Sequence, residues 1–97
     1  MKNVALAYFL LVIPLLVSAR TIVISPGGTT IKDAVGKAQP GDTLLIRSGT
    51  YKVDNIIVEK ALTIIGEGFP ILDGDHKVEI FTIHADNVTL TGLKFIN

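Results

Sequence analysis

The chain contains no cysteine, and its single methionine is Met1. Disulfides and cysteine-linked lipid anchors are therefore excluded, so a small secreted domain would have to fold here without a covalent staple. An excess of one charge is also missing. Nine Lys and Arg residues face nine Asp and Glu residues, with no basic stripe and no basic patch interleaved with aromatics. Both features speak against nucleic acid as a partner. No spacer rich in Ser or Pro divides the chain, which reads as one domain behind a leader.

The leader is the first thing present. Lys2 precedes an apolar run from Val4 to Val17, and Val17-Ser18-Ala19 supplies neutral or small residues where a signal peptidase reads. The run is interrupted by Pro14 and is short for a membrane span, which needs about 20 apolar residues. Residues 1–19 are therefore expected to be a signal peptide. The product would begin at Arg20, be periplasmic or secreted, and not span a membrane after cleavage.

Past Arg20, TIVIS alternates as a strand does and ends at Pro26-Gly27-Gly28. Ile31, Ala34, Val35 and Ala38 then fall on one helical face, with Thr30 placed to cap the N-terminus and Asp33 to meet the positive end of the dipole. Pro40-Gly41 is the expected stop. This short helix suits a lid over the first coil of a stacked array, and equally a surface helix on a sheet face. Strands are expected at Thr43–Arg47, Ile56–Val58, Leu62–Ile65, Pro70–Leu72 and Ile80–Ile83. Ser48 to Tyr51 and Gly66 to Gly68 read as turns, and Asp73 to Lys77 as a polar loop.

The strands repeat. LTIIG at Leu62–Gly66 returns as VTLTG at Val88–Gly92 after 26 residues, IIV at Ile56–Val58 matches FTI at Phe81–Ile83, and TLLIRSG at Thr43–Gly49 is a poorer copy. Such spacing indicates stacked coils. An antiparallel meander would also give spaced strands but wants tight Asn-Gly or Asp-Gly turns, and only Asp73-Gly74 offers one.

The order SPGGTTIKDAVGKAQPGDTLLIRSGTYK, NIIVEKALTIIGEG, PILDG and ADNVTLTGLKFIN resembles the opening of the NosD family. These are periplasmic accessory proteins of nitrous oxide reductase maturation, related in fold to pectate lyases. The resemblance covers essentially everything after the leader. AQPGDTLLIRSGTY is similar to the start of many secreted β-helix proteins and bears on fold. LTIIGEGFPILDG with ADNVTLTGLKFIN narrows the likeness to NosD-like chains. It implies an all-β fold, a right-handed parallel β-helix with a short N-terminal capping helix, of which residues 20–97 are the first coils of a longer, here incomplete, domain. It further implies copper-site assembly as the setting, with the reductase and ABC transporter components as protein partners. The alternative is the N-terminal part of a carbohydrate-active β-helix enzyme of the polysaccharide lyase type, with a carbohydrate ligand.

Candidate sites are few. Copper(I) carriers favour thiolate and thioether ligands, and after the leader only the imidazoles of His76 and His84 remain as soft-to-borderline donors. Asp73 and Asp75 in DGDHK suggest a calcium loop, but the EF-hand pattern fails at Lys77, Val78 and His84. An Asp-Gly turn between coils explains them better. Asn87-Val88-Thr89 is a formal glycosylation sequon, yet Asn87 and Asn97, like Gly66 and Gly92, suit coil corners with left-handed backbone. Arg47, Lys60 and Lys94 lie on or beside strands without an acidic cluster at matching positions, so a lyase-type base is unsupported. No catalytic residue, metal ligand or cofactor is expected in this segment. The final stretch, NVTLTGLKFIN, has no polar segment after it, and the expectation is an open coil edge prone to self-association.

Overall fold

The computed structural model describes residues 19–76 and 79–97. The expected signal peptide, apart from Ala19, lies outside the described residues, as do Lys77 and Val78.

Strand β1 (Thr21–Ile24) leads into helix α1 (Ile31–Lys37). Strands β2 (Thr43–Ile46), β3 (Thr50–Lys52) and β4 (Ile56–Val58) form the next coil. They are followed by β5 (Thr63–Gly66), β6 (Ile71–Asp73) and β7 (Phe81–Ile83), then β8 (Thr89–Thr91) and β9 (Lys94–Ile96). The sheets have the orders β1-β2-β5-β8, β3-β6-β9 and β4-β7. Every strand pairing among the described residues is parallel and joins strands one coil apart. The fold is a mostly β parallel solenoid of about three turns with one short helix. The meander is thereby ruled out: hairpin strands pair antiparallel, whereas here every pairing is parallel, and apart from β1 and β2, which helix α1 separates, consecutive strands lie in different sheets.

The register reproduces the repeat read from sequence. Thr43 pairs with Thr63 and Thr63 with Thr89, while Ile56 pairs with Phe81. Side chains alternate inward and outward along each strand. Inward positions therefore stack as Ile22, Leu44, Ile64 and Leu90 in one sheet and as Tyr51, Leu72 and Phe95 in another. Burial is complete in the middle of each stack and falls toward the last coil. Leu44, Ile64 and Leu72 are fully buried, Leu90 is half-buried, and Phe95 is 47% exposed. The Phe95 ring meets Phe81 edge-on, with centroids 6.0 Å apart, a favoured aromatic geometry.

At the other end, helix α1 closes the core. Its four apolar-face residues, Ile31, Ala34, Val35 and Ala38, are all buried. The helix packs on β4, β1 and β2. It therefore serves as the lid over the first coils. Thr30 Oγ1 accepts the Asp33 N–H at 3.1 Å, the expected N-cap bond. The helix ends at Lys37, before Pro40, and the exposed carbonyls there are met by a side chain from another coil. Lys60 Nζ donates to Gly36 O at 3.1 Å and to Ala38 O at 2.5 Å.

Two local expectations need correction. Residues 48–51, read as a turn, give up Thr50 and Tyr51 to strand β3. Tyr51 points inward over Leu72, and its hydroxyl donates to the Arg47 carbonyl at 2.7 Å, with the Ile24 carbonyl at 3.3 Å. Burying that ring requires extended backbone at a place where Gly49 suggested only a bend. Gly66 and Gly92 were expected to share a left-handed role. Gly92 does, with φ 72°, but Gly66 lies in β5 without positive φ. Gly66 is required for space instead, because a Cβ there would collide with the Gly92 carbonyl. Asn87 has φ 60°, as a coil corner requires.

Candidate functional site

The outward face of the four-stranded sheet carries two in-register ranks. One is Thr21, Thr43, Thr63 and Thr89; the other is Val23, Leu45, Ile65 and Thr91. Parallel strands lie about 4.8 Å apart, so the first rank is a regular ladder of hydroxyls and the second a ladder of branched aliphatics that ends in Thr91. None of these eight positions bears a charge, and Val23 is 51% exposed. A surface of hydroxyls and branched aliphatics without charge resembles the centre of a protein interface more than an average solvated face.

The second feature is polar. A groove of about 320 Å³ is lined by Lys52, Val53, Asp54, Asp73, Gly74 and Asp75. Lys52 and Asp73 are register partners in adjacent coils, and Lys52 Nζ lies 3.1 Å from Asp73 Oδ2 and 4.0 Å from Asp75 Oδ1. The Asp75 N–H donates to Asp73 Oδ1 at 2.8 Å, and Asp75 and His76 both have positive φ. This is the Asp-Gly turn expected from DGDHK, closed by an aspartate accepting a backbone N–H two residues on. The Asp75 N–H and then Lys52 hold the Asp73 carboxyl below the usual carboxylate range. The hydrogen bond to Asp73 and the charges of Asp73 and Asp75 push the Lys52 ammonium up. A lysine held protonated in this way is poorly suited to act as a base.

The Lys52–Asp73 pair escaped sequence reading, which looked for acidic partners of Arg47, Lys60 and Lys94. Aligning TYK with ILD, 21 residues on, would have revealed it. Arg47 is exposed, and its backbone N–H continues the ladder to the Ile24 carbonyl. Lys60 is committed to the end of α1, and Lys94 sits in β9 opposite Ile71. His76 lies in the turn after β6 and His84 follows β7, both exposed. Among the described residues no group of three or more His, Cys, Asp or Glu is placed to share a metal ion.

The third feature is buried. Asp42, 1% exposed, is the one charged residue in the core of the described chain. Its Oδ1 accepts the Arg20 backbone N–H at 3.1 Å. Its Oδ2 accepts the Gln39 N–H at 2.9 Å and Arg20 Nε at 3.2 Å. The backbone donors of Gln39 and Arg20 are the main reason its carboxyl titrates below the ordinary range; burial opposes them, and the Arg20 guanidinium adds to them. Asp42 was missed because its partner lies 22 residues away, and only the stacking of β1 on β2 brings them together. Among the described residues no helix is long and apolar enough to cross a membrane. Set against known proteins, the chain matches no family model, no curated protein and no solved structure.

Proposed function

We propose that this chain is an exported, non-catalytic β-solenoid accessory protein that engages protein partners, in the setting of nitrous oxide reductase maturation and copper-site assembly. The uncharged outward face of the four-stranded sheet carries the reading. Thr21, Thr43, Thr63 and Thr89 alternate with Val23, Leu45, Ile65 and Thr91, a surface suited to a protein partner. The copper-enzyme setting is supported by the resemblance of LTIIGEGFPILDG and ADNVTLTGLKFIN to NosD-like chains. On this reading the reductase and its transporter are the partners, and the segment itself holds no copper.

The groove around Lys52 is what a polysaccharide lyase reading would use. There the ammonium is held by Asp73 and its pKa is raised, opposite to the requirement for a base. The ion pair favours the scaffold.

The test is the copper content of nitrous oxide reductase purified from cells with and without the gene for this chain. Copper-deficient enzyme in the deletion strain, restored by the wild-type gene but not by a Val23→Lys, Thr63→Lys double variant, is the expected result. Full copper content without the gene would overturn the proposal.

A further inference from the structure

The residue where export processing is expected to start the chain is the same residue that satisfies the buried carboxylate. Arg20 is anchored by its carbonyl, which accepts the Thr43 N–H at 2.9 Å. That bond places the Arg20 nitrogen 3.1 Å from Asp42 Oδ1, on a carboxylate that is 1% exposed. Ala19 and Arg20 are themselves exposed, and Ala19 Cβ comes no nearer than 4.0 Å to a Cβ built on Gly41. Nothing in this arrangement needs residue 19 to hold the Arg20 nitrogen in place.

We propose that cleavage after Ala19 converts the Arg20 nitrogen from an amide into an α-ammonium seated on the Asp42 carboxylate, so that processing itself completes the cap of the first coil. The chemistry is hydrolysis of the Ala19–Arg20 peptide bond by a leader peptidase, with one water consumed. The C–N bond breaks, Ala19 departs as a carboxylate, and the released amine takes up a proton at neutral pH. An N–H donor already within hydrogen-bond distance then carries a full charge toward a buried anion. The bond to the ionised carboxylate is already charge-assisted before cleavage, and the new ammonium adds a direct coulombic attraction to it.

The surroundings set the size of the effect. The Arg20 guanidinium already lies on Asp42 Oδ2 and reaches the Lys37 carbonyl at 3.4 Å. From the helix side, Lys37 adds a cation in the last turn, and Lys60 lies on the Gly36 and Ala38 carbonyls. These positive charges oppose a further one, so the gain is modest. The Asp42 carboxylate raises the pKa of the new ammonium above its ordinary value of about 8. A raised pKa means the stabilisation is fully present below that value and is lost as pH rises through the folded-state pKa.

This inference rests on the export reading and not on any partner. Its test is the full chain expressed with its own leader in an exporting host. The purified product is sequenced from its N-terminus and melted from pH 6 to pH 10. Two comparisons accompany it: a leader variant cut one residue earlier, which leaves Ala19 attached, and Asp42→Asn. The Arg20-terminated product should melt about 4 °C above the Ala19-retaining one at pH 6. The difference should vanish toward pH 10 and be absent when both carry Asp42→Asn. Should Asp42→Asn fail to fold, the first two products still decide the matter. A product beginning elsewhere than Arg20, or coincident melting curves at every pH, would overturn the proposal. The copper content of the reductase bears on neither outcome.

Discussion

Lys52 and Asp73 occupy the same register position in neighbouring coils, and their charged atoms meet at 3.1 Å along the stacking direction. The contact ties strand β3 to β6 at a point where the adjoining corner begins. With Lys52 71% exposed, its strength is limited by water.

The pair predicts a specific pH response. The Asp73 carboxyl is held low, so its contribution is complete above the ordinary carboxylate value of about 4 and is lost as pH falls through the folded-state pKa. Lys52 is shifted upward, so its contribution is complete below about 10.4 and is lost only above that. Melting temperature should therefore be insensitive to this pair between pH 5 and pH 9, a window of about four units inside both limits. Asp73→Asn should flatten the acid limb of the melting curve below about pH 4, and also the alkaline limb above about pH 10.4, because Asp73 is the main partner that raises Lys52. An acid limb identical to wild type would refute the assignment.

Gly66→Ala should be among the most damaging single changes in the chain. The added methyl group meets the Gly92 carbonyl rather than a flexible side chain, so the backbone of two coils must move. The expected loss is about 3 kcal/mol, at the upper end for overpacking. Urea denaturation should show a lower midpoint with an unchanged slope. By contrast, Gly36→Ala meets no atom within 4 Å and lies inside α1, so it should be neutral or stabilising.

The burial gradient along one stack gives a matched pair. Ile64→Ala, at a fully buried position, should cost about 3 kcal/mol. Leu90→Ala, its half-buried register partner in the next coil, should cost about 1 kcal/mol, because part of its surface is already hydrated. Equal losses would mean that Leu90 is covered in solution by something beyond the described coils.

Lys60→Met tests the far end of the helix. The substitution keeps the aliphatic stem while removing the ammonium from the Gly36 and Ala38 carbonyls. About 1 kcal/mol of helix anchoring should be lost. Hydrogen exchange should quicken at the amides of Ala34 to Ala38 and stay unchanged in β5. Unchanged protection across α1 would show that the lid is held by its apolar face alone.

What could be read from sequence was whatever repeats or alternates locally. Ile31, Ala34, Val35 and Ala38 announced a helix face through their spacing. Thr63 and Thr89 announced a coil through the motif around them, and both readings agree with the structure. What could not be read depended on contacts between coils. Thr50 to Lys52 is too short to show a period, and its strand exists because Tyr51 stacks on Leu72. Asp42 carried no signal in the sequence, because its partner Arg20 reaches it only through the stacking of β1 on β2. Gly66 and Gly92 look alike in sequence, yet one provides a dihedral angle and the other an empty volume.

The coils are not equally long. Thr43 to Thr63 is 20 residues and Thr63 to Thr89 is 26, although the strands pair in register in both cases. Most of the excess lies between Asp73, where β6 ends, and Phe81, where β7 begins; the corresponding corner of the previous coil runs only from Val53 to Asn55. Length is thus absorbed at a corner and never passed to a sheet. The solenoid therefore has a natural graft point. A foreign loop or epitope placed between Asp75 and Glu79 would project sideways from the stack, leaving the ladders above and below to set the geometry, and the surface could gain a new binding specificity without a new core.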